Sequence, residues 1–174
     1  MTAQATDEEL ERLASELGEA LRRRRLMLAV AESCTGGWAA QAITSVAGSS
    51  AWFDRGFVTY TNMAKHELLG VPAETLKRYG AVSEQTARAM AEGALRASHA
   101  DVALAITGIA GPGGGSPDKP IGMVCFAWSG RGRETIVRTE HFSGDRAAIR
   151  RQAVRRALAG AAGFVQEWGQ APSG

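Results

Sequence analysis

The chain has 174 residues, 45% of them apolar and 22% charged, with a formal net charge of +2. That length fits one compact domain whose core needs neither disulfides nor metal. The composition excludes extensive disorder, and the charge balance is too small to mark a nucleic-acid partner by itself.

In chain order, residues 7–25 are predicted as a helix. Asp7 is placed to cap it, acids crowd the first turn, and Leu10, Leu13, Leu17 and Leu21 recur at helical spacing. Arg22–Arg25 complement its C-terminal end. The apolar run 26–31, LMLAVA, reads as a buried strand, followed by the loop ESCTGG and a helix over 36–46. Residues 54–61 read as a strand. Asn62 is the expected N-cap of a helix over 63–69, which Gly70 ends. Further helices are expected over 73–79 and, opened by Ser83, over 84–98. Residues 101–107, DVALAIT, read as a second buried strand, followed by the loop GIAGPGGGSPDKP (108–120). Strands over 121–128 and 134–142 form a hairpin through SGRGR, and Asp145 caps a last helix reaching Trp168. The alternation predicts one three-layer α/β domain over 1–174, a mixed β-sheet flanked by helices, with 1–6 and 169–174 frayed.

Cys34 and Cys125 have no metal-ligand spacing and read as two reduced thiols. The acidic, amphipathic N-terminus does not resemble a signal peptide, and no apolar run approaches spanning length. A soluble, cytoplasmic protein without membrane or nucleic-acid partners is the expectation. No interleaved aromatic and basic face is visible. His66, His99 and His141 are scattered, which argues against a Ser-His-Asp triad and a zinc hydrolase.

In sheets of this kind, sites gather at the C-terminal ends of strands. That rule selects ESCTGG, TYTN and GIAGPGGGSPDKP. In the first, Glu32, Ser33, Cys34, Thr35, Gly36 and Gly37 lie between a strand and a helix N-terminus, where free N–H groups can hold a phosphate or an oxyanion. Lys65, Lys77 and Lys119 are the only lysines. Lys65 is predicted in the first turn of its helix, where the positive helix end lowers an ammonium pKa and favours a general base. Tyr60 ends the preceding strand with its hydroxyl free to reach the same loop. In the third loop, Thr107, Gly108, Gly111, Gly113 and Ser116 offer backbone N–H groups and hydroxyls, and Lys119 offers charge. This is neither a Walker A loop nor a Rossmann fingerprint, so no ATP or NAD cofactor is expected, nor any metal. Arg146, in the first turn of the last helix, is expected to meet an anion such as phosphate. Three nucleophiles remain open: Ser33, Ser50 in AGSS, and Cys34, which lacks a placed histidine.

The segments AESCTGG (31–37), AGSSAWFDRGFVTYTNMAK (47–65), GAVSEQ (80–85), TGIAGPGGGSPDKPIG (107–122) and FSGDR (142–146) resemble the CinA C-terminal domain family. The resemblance runs from about residue 7 to 165 and is closest to its stand-alone nicotinamide-nucleotide amidase type. It implies hydrolysis of nicotinamide mononucleotide to nicotinate mononucleotide and ammonia by a Ser-Lys dyad. By the matching motifs the dyad is Ser33 and Lys65, with Tyr60 orienting it or helping to protonate ammonia, and with Ser50 as the rival nucleophile. It implies nucleotide binding by residues 32 and 35–37, the glycine-rich loop and Arg146. A homodimer is a further implication, as is a non-catalytic binding module linked to competence or DNA damage. Longer family members carry an extra N-terminal molybdopterin-binding-like domain, whose activity is not expected of these 174 residues.

Overall fold

The computed structural model describes residues 4–169. Five strands form one sheet in the order β2-β1-β3-β4-β5. These are β1 (Leu28–Glu32), β2 (Phe53–Val58), β3 (Val102–Gly108), β4 (Met123–Gly130) and β5 (Arg133–His141). β1 runs parallel to both β2 and β3, while β3–β4 and β4–β5 are antiparallel. The mixed sheet expected from the sequence is the sheet observed. Six helices flank it: α1 (Asp7–Arg24), α2 (Trp38–Thr44), α3 (Asn62–Leu69), α4 (Ala73–Tyr79), α5 (Glu84–Arg96) and α6 (Arg146–Gln166).

The central strands look uniformly apolar in sequence, but they alternate in size. Leu28, Val30, Leu104, Ile106, Phe126 and Trp128 pack with α1, α2 and α6 on one face. Ala29, Ala31, Ala103, Ala105, Cys125 and Ala127 face α5 and the end of α3 on the other. Successive side chains on a strand point to opposite faces, so each strand serves both layers at once. The small face admits close approach of α5, whose Ala87, Met90, Ala91 and Ala94 are all buried. Gly93 continues this economy of volume. A Cβ there would overlap the carbonyl oxygen of Leu69, so α3 rests on α5 only because the residue is glycine.

Caps differ from the sequence reading by one position. Thr6, not Asp7, accepts the Glu9 amide at the head of α1, and Thr61, not Asn62, accepts the Ala64 amide at the head of α3. Either residue type caps well, and the choice falls to whichever backbone is extended. Ser83 and Asp145 cap α5 and α6 as expected. Frayed ends were expected at 1–6 and 169–174; residues 1–3 and 170–174 lie outside the described ones. Ala5 is buried and Thr6 caps, so this part of the N-terminal segment is held against the fold. The arginines at the end of α1 are engaged there: Arg22 and Arg23 pair with Glu19, and Arg24 donates to carbonyls of Gln166 and Trp168. Among the described residues, no helix is long and apolar enough to cross a membrane, and no cluster of potential metal ligands occurs.

Candidate active site

The chain leaves β1 toward β2 on one side and leaves β3 toward β4 on the other. The chain direction therefore switches at the C-terminal ends of β1 and β3, the usual ligand position in such sheets. The β1 pairing runs slightly past its end. The Ser33 amide donates to Ile106 O at 3.0 Å, and the Thr59 amide donates to Glu32 O at 2.8 Å. These bonds fix Ser33 between the exits of β2 and β3.

On α3, Lys65 and Leu69 are one turn apart and are the helix's two buried residues. A lysine thus occupies an inward position and is 1% exposed. Its Nζ donates to Ser33 Oγ at 2.8 Å and to Thr59 O at 2.8 Å, with Tyr60 O at 3.5 Å. Burial lowers its pKa from the ordinary lysine range to about 8. The direction agrees with the sequence expectation, but the cause does not. Desolvation dominates, because Lys65 lies deep in the protein and already one turn along α3. At pH 7, roughly one Lys65 in ten is then neutral and able to accept a proton.

The other nucleophile candidates are placed differently. Ser50 lies exposed in a short 3₁₀ turn (Ser49–Ala51) that leads into the N-terminal end of β2. Because β1 and β2 are parallel, this is the opposite end of the sheet from Ser33 and Lys65. Cys34 is buried, and desolvation pushes its thiol up to about 12, far from the thiolate that a cysteine nucleophile needs.

The N-terminus of α2 is not an open anion site. Glu32, fully buried, accepts from Thr35 Oγ1 at 2.6 Å, the Ala39 amide at 2.8 Å and the Ala40 amide at 3.1 Å. The side chains of Glu32 and Thr35, expected to meet a ligand, are engaged with each other and with the helix they cap. Gly36 and Gly37 sit at φ 58 and 103, which only glycine adopts freely, and together they turn the chain into α2.

The third loop folds back on itself. The Ser116 and Lys119 backbones and the Ser116 hydroxyl bond one another, and Lys119 Nζ donates to the Tyr79 carbonyl rather than standing free. Thr107 is buried and donates to Ala81 O at 2.7 Å. Gly108 pairs with Val124 at the end of β3, while Gly113 lies open on the surface. Gly111 is buried and its carbonyl accepts from Arg146 at 2.7 Å. The same guanidinium donates to the Tyr60 hydroxyl at 2.9 Å. Tyr60 is 59% exposed, and its backbone carbonyl, not its hydroxyl, faces Lys65. An orienting contact between the Tyr60 hydroxyl and the Ser33–Lys65 pair is thus not formed. Tyr60 and Arg146 instead make an exposed polar bridge between the exit of β2 and the glycine-rich loop.

Two participants escaped the sequence reading. Thr59 contributes only a carbonyl, which no residue type signals. Arg150 donates from α6 to Cys34 O at 3.0 Å and Thr35 O at 3.2 Å. Its one sequence signal was its position four residues after Arg146, on the same helix face.

Known proteins match both the sequence and this arrangement. The CinA C-terminal domain model matches residues 10–165. The nicotinamide-nucleotide amidohydrolase PncC of Escherichia coli K12 is 56% identical over 153 residues, covering 88% of this chain and 93% of that protein. A putative competence-damage inducible protein of Symbiobacterium thermophilum is 54% identical across 86% of this chain, but the match spans 37% of its own length. The crystal structure of the competence/damage inducible protein CihA from Agrobacterium tumefaciens superposes with a TM-score of 0.85 at 49% identity, covering 91% of this chain and 95% of that one. Five strands in this order, motifs placed together at one sheet end, and matches across most of the chain have one reading: the chain belongs to the CinA C-terminal domain family.

Proposed function

We propose that this protein is an amidohydrolase that converts nicotinamide mononucleotide to nicotinate mononucleotide and ammonia, with Ser33 as nucleophile and Lys65 as general base. The observation that carries the reading is the 2.8 Å contact between Lys65 Nζ and Ser33 Oγ, with the lysine desolvated to a pKa of about 8. The 56% identical E. coli relative, named for this activity, supports the substrate.

Neutral Lys65 takes the Ser33 proton as Oγ bonds to the carboxamide carbon. The oxyanion is met by backbone N–H groups of the turn after β1. Lys65 then returns the proton to the departing nitrogen, the C–N bond breaks, and ammonia leaves an acyl-Ser33. Water attacks that ester with Lys65 again accepting the proton; Lys65 passes it to the departing Oγ, which restores Ser33 as the product acid leaves and ionises to the carboxylate. Thr59 O holds the ammonium in line between steps. Arg146, with Tyr60, is exposed at the mouth and fits the ligand phosphate, a bidentate partner for a guanidinium. The glycine-rich loop borders the ribose.

The same reading makes the protein a cytoplasmic enzyme of pyridine nucleotide salvage and a homodimer. Exposed apolar side chains at Val58, Met63, Leu68 and Ile121 support a self-association surface. They lie on the β2 end, α3 and the turn before β4 rather than on the long helices. Sedimentation at micromolar concentration tests it, and a monomer there removes the homodimer from the reading.

The test of function is ammonia release from nicotinamide mononucleotide by the purified protein, beside Ser33→Ala and Lys65→Ala. Release by the wild type alone is expected. Activity near wild type in either variant would sink the dyad. A folded wild type that releases no ammonia would favour the binding-module reading suggested by the competence-damage names.

A further inference from the structure

Arg150 grips the nucleophile turn from behind. It comes from α6, on the face of the sheet opposite α3 and Lys65. Its Nε donates to Cys34 O and its terminal nitrogen to Thr35 O, so two successive peptide units are held by one planar fork. The guanidinium is steadied by the Trp38 ring, 5.4 Å away.

The consequence lies in peptide geometry. Both units are trans, so each N–H points opposite to the carbonyl of its own unit. Holding Cys34 O toward α6 turns the Thr35 N–H away from α6, toward the Lys65 side. Holding Thr35 O likewise turns the Gly36 N–H, which closes the turn onto Ser33 O at 3.0 Å. The Thr35 N–H has no hydrogen-bond partner among the described residues. The amides of Ala39 and Ala40, which a helix start would otherwise offer, are occupied by Glu32. Glycine is required at position 36 by its φ of 58; a Cβ there would meet the Arg150 guanidinium only at ordinary contact distance, 3.4 Å.

We propose that Arg150 is a positioning residue for the oxyanion site: it orients and polarises the Cys34–Thr35 peptide so that the Thr35 N–H meets the oxyanion formed when Ser33 is acylated. This rests on the serine-nucleophile reading above. Arg150 touches no reacting atom. Its effect therefore falls on the transition state rather than on ground-state binding of the nucleotide. Its charge also lies behind the peptide dipole, where it strengthens the N–H as a donor.

The experiment compares wild type, Arg150→Met and Arg150→Lys in two assays. The first is steady-state hydrolysis of nicotinamide mononucleotide. The second is the rate of Ser33 labelling by an alkyl fluorophosphonate, in which the Oγ–P bond forms, fluoride leaves and the serine proton passes to Lys65. Arg150→Met is expected to lower kcat about 10- to 100-fold, less than the loss seen when an oxyanion donor is removed outright. KM stays within about twofold, labelling slows in parallel, and the pH inflection set by Lys65 stays near 8. Arg150→Lys stays well below wild type, because a single ammonium does not reproduce the fork. Thermal melts and the final labelled fraction report folding separately. Wild-type kcat and labelling rate in both variants would overturn the proposal. So would a loss explained by a smaller labelled fraction at an unchanged labelling rate. A wild type that labels at Ser33 but ignores nicotinamide mononucleotide overturns the substrate alone, and the labelling rates then decide Arg150. A folded wild type inert in both assays overturns the dyad and this proposal together.

Discussion

Replacing Lys65 with methionine should abolish turnover and, at neutral pH, favour the folded state electrostatically. Methionine keeps much of the side-chain volume and removes a charge that the fold hides from water. The folded pKa is about 8, against 10.5 for an ordinary lysine. Below pH 8 the ammonium is present in both states, and its burial penalty is felt in full. Between pH 8 and 10.5 the unfolded chain holds a proton that the folded protein has shed, so wild-type stability rises with pH. Above 10.5 both states are neutral and the penalty is gone. With about 1.4 kcal/mol per pKa unit, the penalty is about 3 kcal/mol at pH 7 and falls to about 1 kcal/mol at pH 10. The methionine variant titrates in neither state. Its stability relative to wild type should therefore drop by about 2–3 kcal/mol between pH 7 and pH 10. Lost hydrogen bonds to Ser33 and Thr59 offset the absolute value but shift both ends alike. For a chain of this size that change corresponds to about 5–10 °C in relative Tm. Urea unfolding of both proteins at pH 7, 8, 9 and 10 measures it. A stability difference that stays flat across that range would refute the depressed pKa, and with it the supply of neutral lysine at pH 7.

Catalysis should carry the same signature: kcat/KM rises roughly tenfold per pH unit below 8 and levels above it, as the free-enzyme base deprotonates. A profile flat from pH 6 to 9 would exclude Lys65 as the base. Ser50→Ala and Cys34→Ala should each keep turnover within about tenfold of wild type, since one lies at the far end of the sheet and the other is a buried thiol held near 12. Loss on the scale of Ser33→Ala in either would reassign the nucleophile. Glu32→Gln sets an amide where three donors converge on a carboxylate. It should cost about 1–3 kcal/mol in denaturant unfolding and lower kcat by loosening the turn; unchanged stability would show that the cap is dispensable. Gly93→Ala forces α5 away from the Leu69 carbonyl and should destabilise by about 1–3 kcal/mol or more, with activity falling as α3 and Lys65 shift. A variant as stable as wild type would contradict the close α3–α5 packing.

Helix and strand order, the mixed sheet and the three loops at one end of it were legible in the sequence. Each rests on local signals: 3.6-residue periodicity along α1, apolar runs at β1 and β3, a glycine-ended α3, and a cap before α6. Ser33 and Lys65, singled out by residue type and motif resemblance, lie in hydrogen-bond contact. Tertiary structure decided why the lysine gives up its proton more readily than an ordinary one. A helix-end field is a local property, whereas desolvation depends on α3 settling against the small-residue face of the sheet, through Leu69 and Gly93. It also decided which polar side chains are taken up within the protein. Glu32, Thr35, Thr107 and Lys119 look like ligand groups when read as residue types, yet each is taken up by a backbone or side chain brought near by folding. Arg150 shows the converse, an unremarked arginine set by α6 packing against two carbonyls 115 and 116 residues away in sequence. Sequence determines propensity over a few neighbouring residues. Partners far apart in the chain, and the water that their meeting expels, are fixed only when the layers close.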